Sequence, residues 1–165
     1  QIGDGDLGVT ILHGLEEVNN NISNFKDDIG EIFIVCSKAF VKKSGSSFGT
    51  LIAFSLMNIS KEMKKKDNLN HEEIKKLFKI SLQTIIERGK TKLGDKTIAD
   101  TLDLIIKKIE YNENYPGQIK LATKEALVNF KGKKILIGRA RMFDEKTKDL
   151  DDPGMFALNK LAESF

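Results

Sequence analysis

The chain has no tryptophan, only two prolines and a single cysteine. A lone cysteine cannot close an internal disulfide, which fits a reducing cytoplasm. Cys36 lies between Val35 and Ser37 in an apolar stretch and reads as a small core residue rather than a nucleophile. Without tryptophan, aromatic packing rests mainly on ten phenylalanines. No apolar run reaches the length of a membrane span or a signal-peptide core, so no membrane partner is expected. There is no basic arm. The net charge is +3, with Lys and Asp/Glu interspersed, which gives little ground for nucleic-acid binding. The densest basic run, Lys61 to Lys66, falls at the end of a predicted helix, where the helix dipole favours cations. The sequence carries no GxxxxGK[ST] loop, no glycine fingerprint after a strand, no recognisable Ser/His/Asp set and no Cys/His zinc spacing.

What remains is 165 residues, 40% apolar and 31% charged, the profile of one globular domain with one core over residues 1–165. Helical periodicity dominates. It predicts seven helices, over about 9–24, 30–43, 49–65, 71–88, 97–111, 118–130 and from about 155. The fourth has Asn70 as N-cap with Glu73 three residues on, the capping-box spacing. Pro116 suits the first turn of the sixth. Ile135-Leu136-Ile137 is β-prone but has no partner strand. His71, at a helix start, reads as a surface residue, and His13 has no carboxylate or cysteine partner in sequence. The chain starts at Gln1 and its first residues already resemble a functional loop, so residues upstream, including a helix, are expected to belong to the same domain.

Four helix junctions carry the chemistry. The first is Gly3-Asp4-Gly5-Asp6-Leu7-Gly8. Two carboxylates one residue apart on a glycine-freed backbone suit Mg²⁺, which takes oxygen ligands and leaves positions for phosphate oxygens. The helix behind them offers unpaired N–H groups to the same phosphates. On these residues alone, an acidic turn is an equal reading. The second is Lys43-Ser44-Gly45-Ser46-Ser47-Phe48-Gly49, whose small residues let a backbone approach phosphate, or form a plain turn. The third runs from Arg88-Gly89-Lys90 to Gly94-Asp95-Lys96-Thr97; Asp95 is a candidate cap of the following helix, and Lys96 a candidate partner for Asp or phosphate. The fourth runs from Gly138-Arg139-Ala140 to Asp152-Pro153-Gly154, with Arg139 suited to bidentate oxyanion contact. These junctions precede the odd-numbered helices, and in an up-and-down bundle such junctions gather at one end. That parity predicts a single nucleotide site.

In this order the four segments resemble the nucleotide-binding L subunit of dihydroxyacetone kinase, over essentially the whole chain. The resemblance implies an all-α fold, a closed antiparallel up-and-down barrel of eight helices, of which seven are visible here. It implies two Mg²⁺ ions held by three Asp residues, two matching Asp4 and Asp6 and the third upstream of Gln1. By resemblance the ADP or ATP phosphates rest on Leu7, Gly8, Val9, Thr10, Ser44 and Gly45, and the rest of the nucleotide site maps to Gly89, Asp95, Ile98, Arg139, Asp152, Pro153 and Gly154. The implied activity is phosphoryl transfer to dihydroxyacetone held on a separate K subunit. The implied coenzyme is resident ADP, rephosphorylated by a phosphohistidine protein of the phosphotransferase system; ATP is the donor in fused enzymes. The sequence departs from the family pattern at Leu7, where it often has His or Thr, at Lys42-Lys43, where it has glycines, at Arg141-Met142-Phe143-Asp144, where it has Ser-Tyr-Leu-Gly, and in the stretch before Gly138. A non-catalytic relative that binds nucleotide or a protein partner, and an ATP-dependent kinase of another small molecule, stay open as alternatives. The nucleotide domain of fatty acid kinase lacks the Gly-Asp-Lys-Thr segment present at 94–97.

Overall fold

The computed structural model describes residues 6–43 and 45–164, Asp6 through its backbone alone. Among the described residues there are seven α-helices, two 3-10 segments and no strand. The all-helical class and the seven helices follow the periodicity. The chain divides into two compact units, meeting in sequence at Gly89 and Lys90.

The first unit holds α1 (Asp6–Asn20), a 3-10 turn (Ile22–Asn24), α2 (Ile29–Lys43), α3 (Ser47–Glu62) and α4 (His71–Gly89). Helix α1 starts three residues earlier than the expected Val9 and so takes Gly8 into its first turn. A glycine costs little there, because first-turn N–H groups lack intrahelical partners in any case. It also ends sooner than expected: the Asn21 side chain donates to the Glu17 carbonyl at 2.7 Å, and a 3-10 turn takes over. Helix α4 begins with the expected capping box, Glu73 N donating to Asn70 Oδ1 at 3.0 Å and Asn70 N to Glu73 Oε2 at 2.9 Å.

Helix α2 packs on α1 and α3, and α3 also on α4. At the start of α2 the approach to α3 is close. A Cβ on Gly30 would stand 2.6 Å from the Ser60 carbonyl oxygen and 2.7 Å from the Lys64 Cα. The open N–H groups of Ile29 and Gly30 donate to the carbonyls of Lys66 and Met63, and Asp28 accepts from Glu31 N and Lys65 N. The buried apolar residues of this unit include Ala39, Phe40, Ala53, Ile59, Met63 and Ile85. Cys36 is only half-buried, and burial pushes its thiol above the ordinary range, the direction that lowers reactivity.

The second unit holds α5 (Ile98–Ile109), α6 (Tyr115–Asn129), a kinked 3-10 segment (Arg139–Lys148) and α7 (Pro153–Glu163). Helix α6 packs on both α5 and α7, around Ala126, Phe130 and Met155. Pro116 sits in the first turn of α6, as its fixed φ and missing N–H favour. Ile135–Ile137 pairs with no strand among the described residues. Ile135 is buried with its N–H on Thr147 Oγ1, and Leu136 N donates to the Asp95 carbonyl.

Candidate functional site

Gly3, Asp4, Gly5 and Ser44 lie outside the described residues, as does the side chain of Asp6. The rest of the first and second junctions belong to the first unit, and a direct bond ties them together. Thr10, buried on α1, donates through Oγ1 to Ser46 Oγ at 2.9 Å. The same Ser46 oxygen accepts Gly49 N at 3.1 Å and so caps α3. The Thr10 hydroxyl therefore aligns two helix starts. Leu7, Gly8 and Val9 make up the first turns of α1, whose N–H groups point out of the helix start. Nothing lies within 4 Å of a Cβ built on Gly8 or on Gly45, so space beside both is open to a ligand.

The preceding turn is braced from the other side. Glu17, two helical turns after Thr10, is buried and pairs with Lys42 Nζ at 2.7 Å and Lys43 Nζ at 3.7 Å. The Lys42 hydrogen bond holds its carboxyl below the ordinary range. Both lysines also sit in the last turn of α2, where the dipole favours them.

From Lys90 onward the third junction lies with the fourth in the second unit, and there the two are likewise joined. Residues 90–97 form a tight loop in which Lys90, Gly94 and Lys96 all take positive φ (51°, 97° and 60°). Of the two lysines in the left-handed region, Lys96 is held there by what it bonds to. Lys96 is 1% exposed, and its Nζ donates to the carbonyls of Lys133 at 2.8 Å, Thr147 at 2.9 Å and Leu150 at 2.7 Å. The expectation that Lys96 meets Asp or phosphate is thus corrected: its three donors are all spent on main-chain oxygens. Asp95 does not cap α5 either. Its Oδ2 turns into its own loop, accepting from Thr91 Oγ1 at 3.1 Å and Lys92 N at 2.9 Å. The cap is Thr97, whose Oγ1 accepts Ala99 N, while Asp100 accepts both Thr97 N and Gly94 N. Ile98 opens α5 behind this capping box.

In the fourth junction Gly138 has φ 79°, ψ −176°, a region that only glycine enters easily, and Arg139 follows it at the exposed start of the 3-10 segment. Asp152 caps α7, accepting Met155 N at 2.9 Å, with Pro153 and Gly154 in the first turn. Burial pushes the Asp152 carboxyl up to about 6, against the downward pull of the Met155 and Gly154 N–H groups and of Lys96.

A family model described as the DAK2 domain matches residues 1–165, the full span of the chain. The chain belongs to the DAK2 domain family. Among similar proteins is the PEP-dependent dihydroxyacetone kinase 1 ADP-binding subunit DhaL of Listeria innocua, 27% identical over 94% of this chain and 77% of that protein. Another is the PEP-dependent dihydroxyacetone kinase ADP-binding subunit DhaL of Escherichia coli, 25% identical over 98% of this chain and 83% of that protein. A third is dihydroxyacetone kinase 1 of Saccharomyces cerevisiae, 26% identical over 96% of this chain but only 28% of that longer protein.

Within this DAK2 chain, then, the candidate residues fall into two bonded pairs of junctions, one in each unit. Gly89 closes α4 at the end of the first unit. No group of three or more His, Cys, Asp or Glu side chains able to hold a metal occurs among the described residues, and none of the helices described is long and apolar enough to cross a membrane. His13 is exposed on α1. The residues that sequence reading missed are Ser46 and Thr97. Both stand immediately before a helix with a hydroxyl, which is an N-cap signal in itself.

Proposed function

We propose that the chain is the nucleotide-binding subunit of a dihydroxyacetone kinase, a phosphotransferase with ADP or ATP as its coenzyme. The carrying observation is the DAK2 match across residues 1–165, alongside relatives named as ADP-binding subunits of that kinase. The diphosphate would rest on Leu7, Gly8, Val9, Thr10, Ser44 and Gly45, and the remainder of the nucleotide on Gly89, Asp95, Ile98, Arg139, Asp152, Pro153 and Gly154. Open space beside Gly8 and Gly45 and the N–H groups of the first turn of α1 support the phosphate part of this reading. The side chains of Asp95 and Asp152 already accept backbone N–H groups, and Thr10 donates to Ser46, so all three also fix the junctions they belong to.

Asp4 and Asp6 are proposed to hold two Mg²⁺ ions, since paired carboxylates suit a hard cation. Bound there, the metal would offset charge on the transferring phosphoryl group. The chain's own part is positioning: helix N-termini and Arg139 fix the phosphates, and the short glycine loops let the backbone come close. The closed eight-helix barrel implied by the resemblance belongs to the same proposal. So do a dihydroxyacetone-bearing K subunit and a phosphohistidine protein of the phosphotransferase system as partners, the latter matching relatives described as PEP- or PTS-dependent.

ADP should copurify with the protein, and Asp4→Ala or Asp6→Ala should abolish Mg²⁺-dependent ADP retention. A variant that keeps ADP with unchanged Mg²⁺ dependence refutes the metal assignment. A coupled assay for dihydroxyacetone phosphate, supplied with K subunit and either phosphohistidine donor or ATP, tests the activity. No product with either donor refutes it.

A further inference from the structure

Residues 131–152, between α6 and α7, carry no regular element except the kinked 3-10 segment, yet Arg139 and Asp152 both lie on or at the end of this arm. Few bonds close it. Gly132 N reaches the Lys148 carbonyl, Ile135 N reaches Thr147 Oγ1, and Leu136 N reaches the Asp95 carbonyl. At the surface Lys134 pairs with Asp144 at 3.0 Å and with Glu145, and Thr147 Oγ1 donates to the Asp144 carbonyl; the buried tie is Lys96. Its ammonium is buried, and it gathers one carbonyl from the start of the arm (Lys133), one from the 3-10 segment (Thr147) and one from just before α7 (Leu150). An ammonium has three N–H donors and here meets three acceptors, so nothing is left over for a ligand. Its hydrogen bonds run to carbonyls rather than carboxylates; burial pulls its pKa below the ordinary lysine value, and Asp151, Asp152 and Asp149 oppose that from a distance. Burying an ammonium is costly unless its donors are satisfied, and here main-chain carbonyls satisfy all three.

We propose that Lys96 is a positioning residue for nucleotide binding, and that the Lys133, Thr147 and Leu150 carbonyls form a cradle for a primary ammonium, filled by the chain itself. The inference deepens the nucleotide reading above and rests on it only for the ligand. Lys96 touches no nucleotide; it sets the arm that presents Arg139 and that leads into the Asp152 cap.

The test is chemical rescue on the full chain. In Lys96→Ala the cradle is left without its ammonium, and ADP binding measured calorimetrically with Mg²⁺ should weaken on the order of tenfold or more, as when an outer positioning group is removed. n-Propylammonium, which supplies the missing stem and its three donors, should restore most of that affinity. Tetramethylammonium at equal concentration, a cation without N–H donors, should not. Lys96→Met fills the stem volume without charge and should be weak and unrescued. Wild-type affinity in Lys96→Ala overturns the proposal, and so does equal rescue by both cations. A thermal melt of Lys96→Ala without nucleotide provides a second readout. Its midpoint should rise with propylammonium beyond any rise with tetramethylammonium, and absence of that difference overturns the cradle even if the variant binds nothing. Failure of the unmodified protein to bind ADP sinks the nucleotide reading alone, because the amine-specific melt still decides the cradle.

Discussion

Asp152 makes stability run against the usual acid trend in one pH window. Its carboxyl is buried at the N-terminus of α7 and titrates at about 6, against about 3.9 for an unfolded aspartate. The folded state therefore binds this proton more tightly than the unfolded chain does. The stability from that proton is fully present below about pH 4 and is lost as the pH rises through about 6. Two pH units of displacement correspond to about 3 kcal/mol in total, of which roughly 1–1.5 kcal/mol falls between pH 5 and pH 7. Other carboxylates shifted in this chain, such as Glu17, Asp28 and Glu73, move downward, so their contributions are lost only as the pH falls below the ordinary carboxylate range. The two effects thus occupy different windows. Asn caps helices about as well as Asp, so Asp152→Asn should keep the bond from Met155 N and remove the titration. The assay is the thermal midpoint of both proteins at pH 5, 6, 7 and 8. The difference between wild type and Asp152→Asn should shift by about 3–5 °C from pH 5 to pH 7, in favour of the variant at the higher pH. A difference that is flat with pH, or one that favours the wild type more as the pH rises, refutes the buried-cap account.

Gly30→Ala should destabilise by about 1–3 kcal/mol in denaturant unfolding, because its Cβ would meet the Ser60 and Lys64 backbone, which cannot swing aside as a side chain can. Gly8→Ala, with nothing within 4 Å, should be near neutral by the same measurement, and equal effects at the two positions refute the close approach of α2 and α3. Thr97→Ala should lose about 1 kcal/mol through the α5 cap, whereas Thr97→Ser should lose little; a loss for Ser as large as for Ala would show that the hydroxyl is not what matters.

Local chemistry was legible in the sequence and distant chemistry was not. Asn70 and Glu73 are three positions apart, so their spacing predicted both bonds of the box. The α5 cap was misassigned to Asp95 because Asp95 and Thr97 are both good capping types two residues apart. The choice was settled by Thr91 and Lys92, which draw the Asp95 carboxylate into the loop. The fate of Lys96 depended on carbonyls supplied 37 to 54 residues later, and no reading of Gly-Asp-Lys-Thr alone contains them. The bond from Thr10 to Ser46 spans 36 residues. Sequence order placed these two junctions before odd-numbered helices; the hydroxyl pair that fastens them is a tertiary fact.

The departures from the family pattern become intelligible through α1. By the resemblance, Lys42 and Lys43 stand where the family has glycines; here they form the last turn of α2, which ends at Lys43. Glycines at those two positions would leave a more yielding turn; lysines in a last helical turn give a firmer one, provided their charges are satisfied. Glu17 supplies that satisfaction from α1. Seven residues earlier, on the same face, Thr10 holds Ser46 at the other end of the turn, and Gly14 between them admits the Phe40 ring, against which a Cβ would stand only 2.4 Å away. Residues at spacings of four and three share a helix face, so one stripe of α1 grips the end of α2, the start of α3 and the aromatic packed between. In this chain Glu17 therefore answers the charge of Lys42 and Lys43 from the same stripe that holds Ser46.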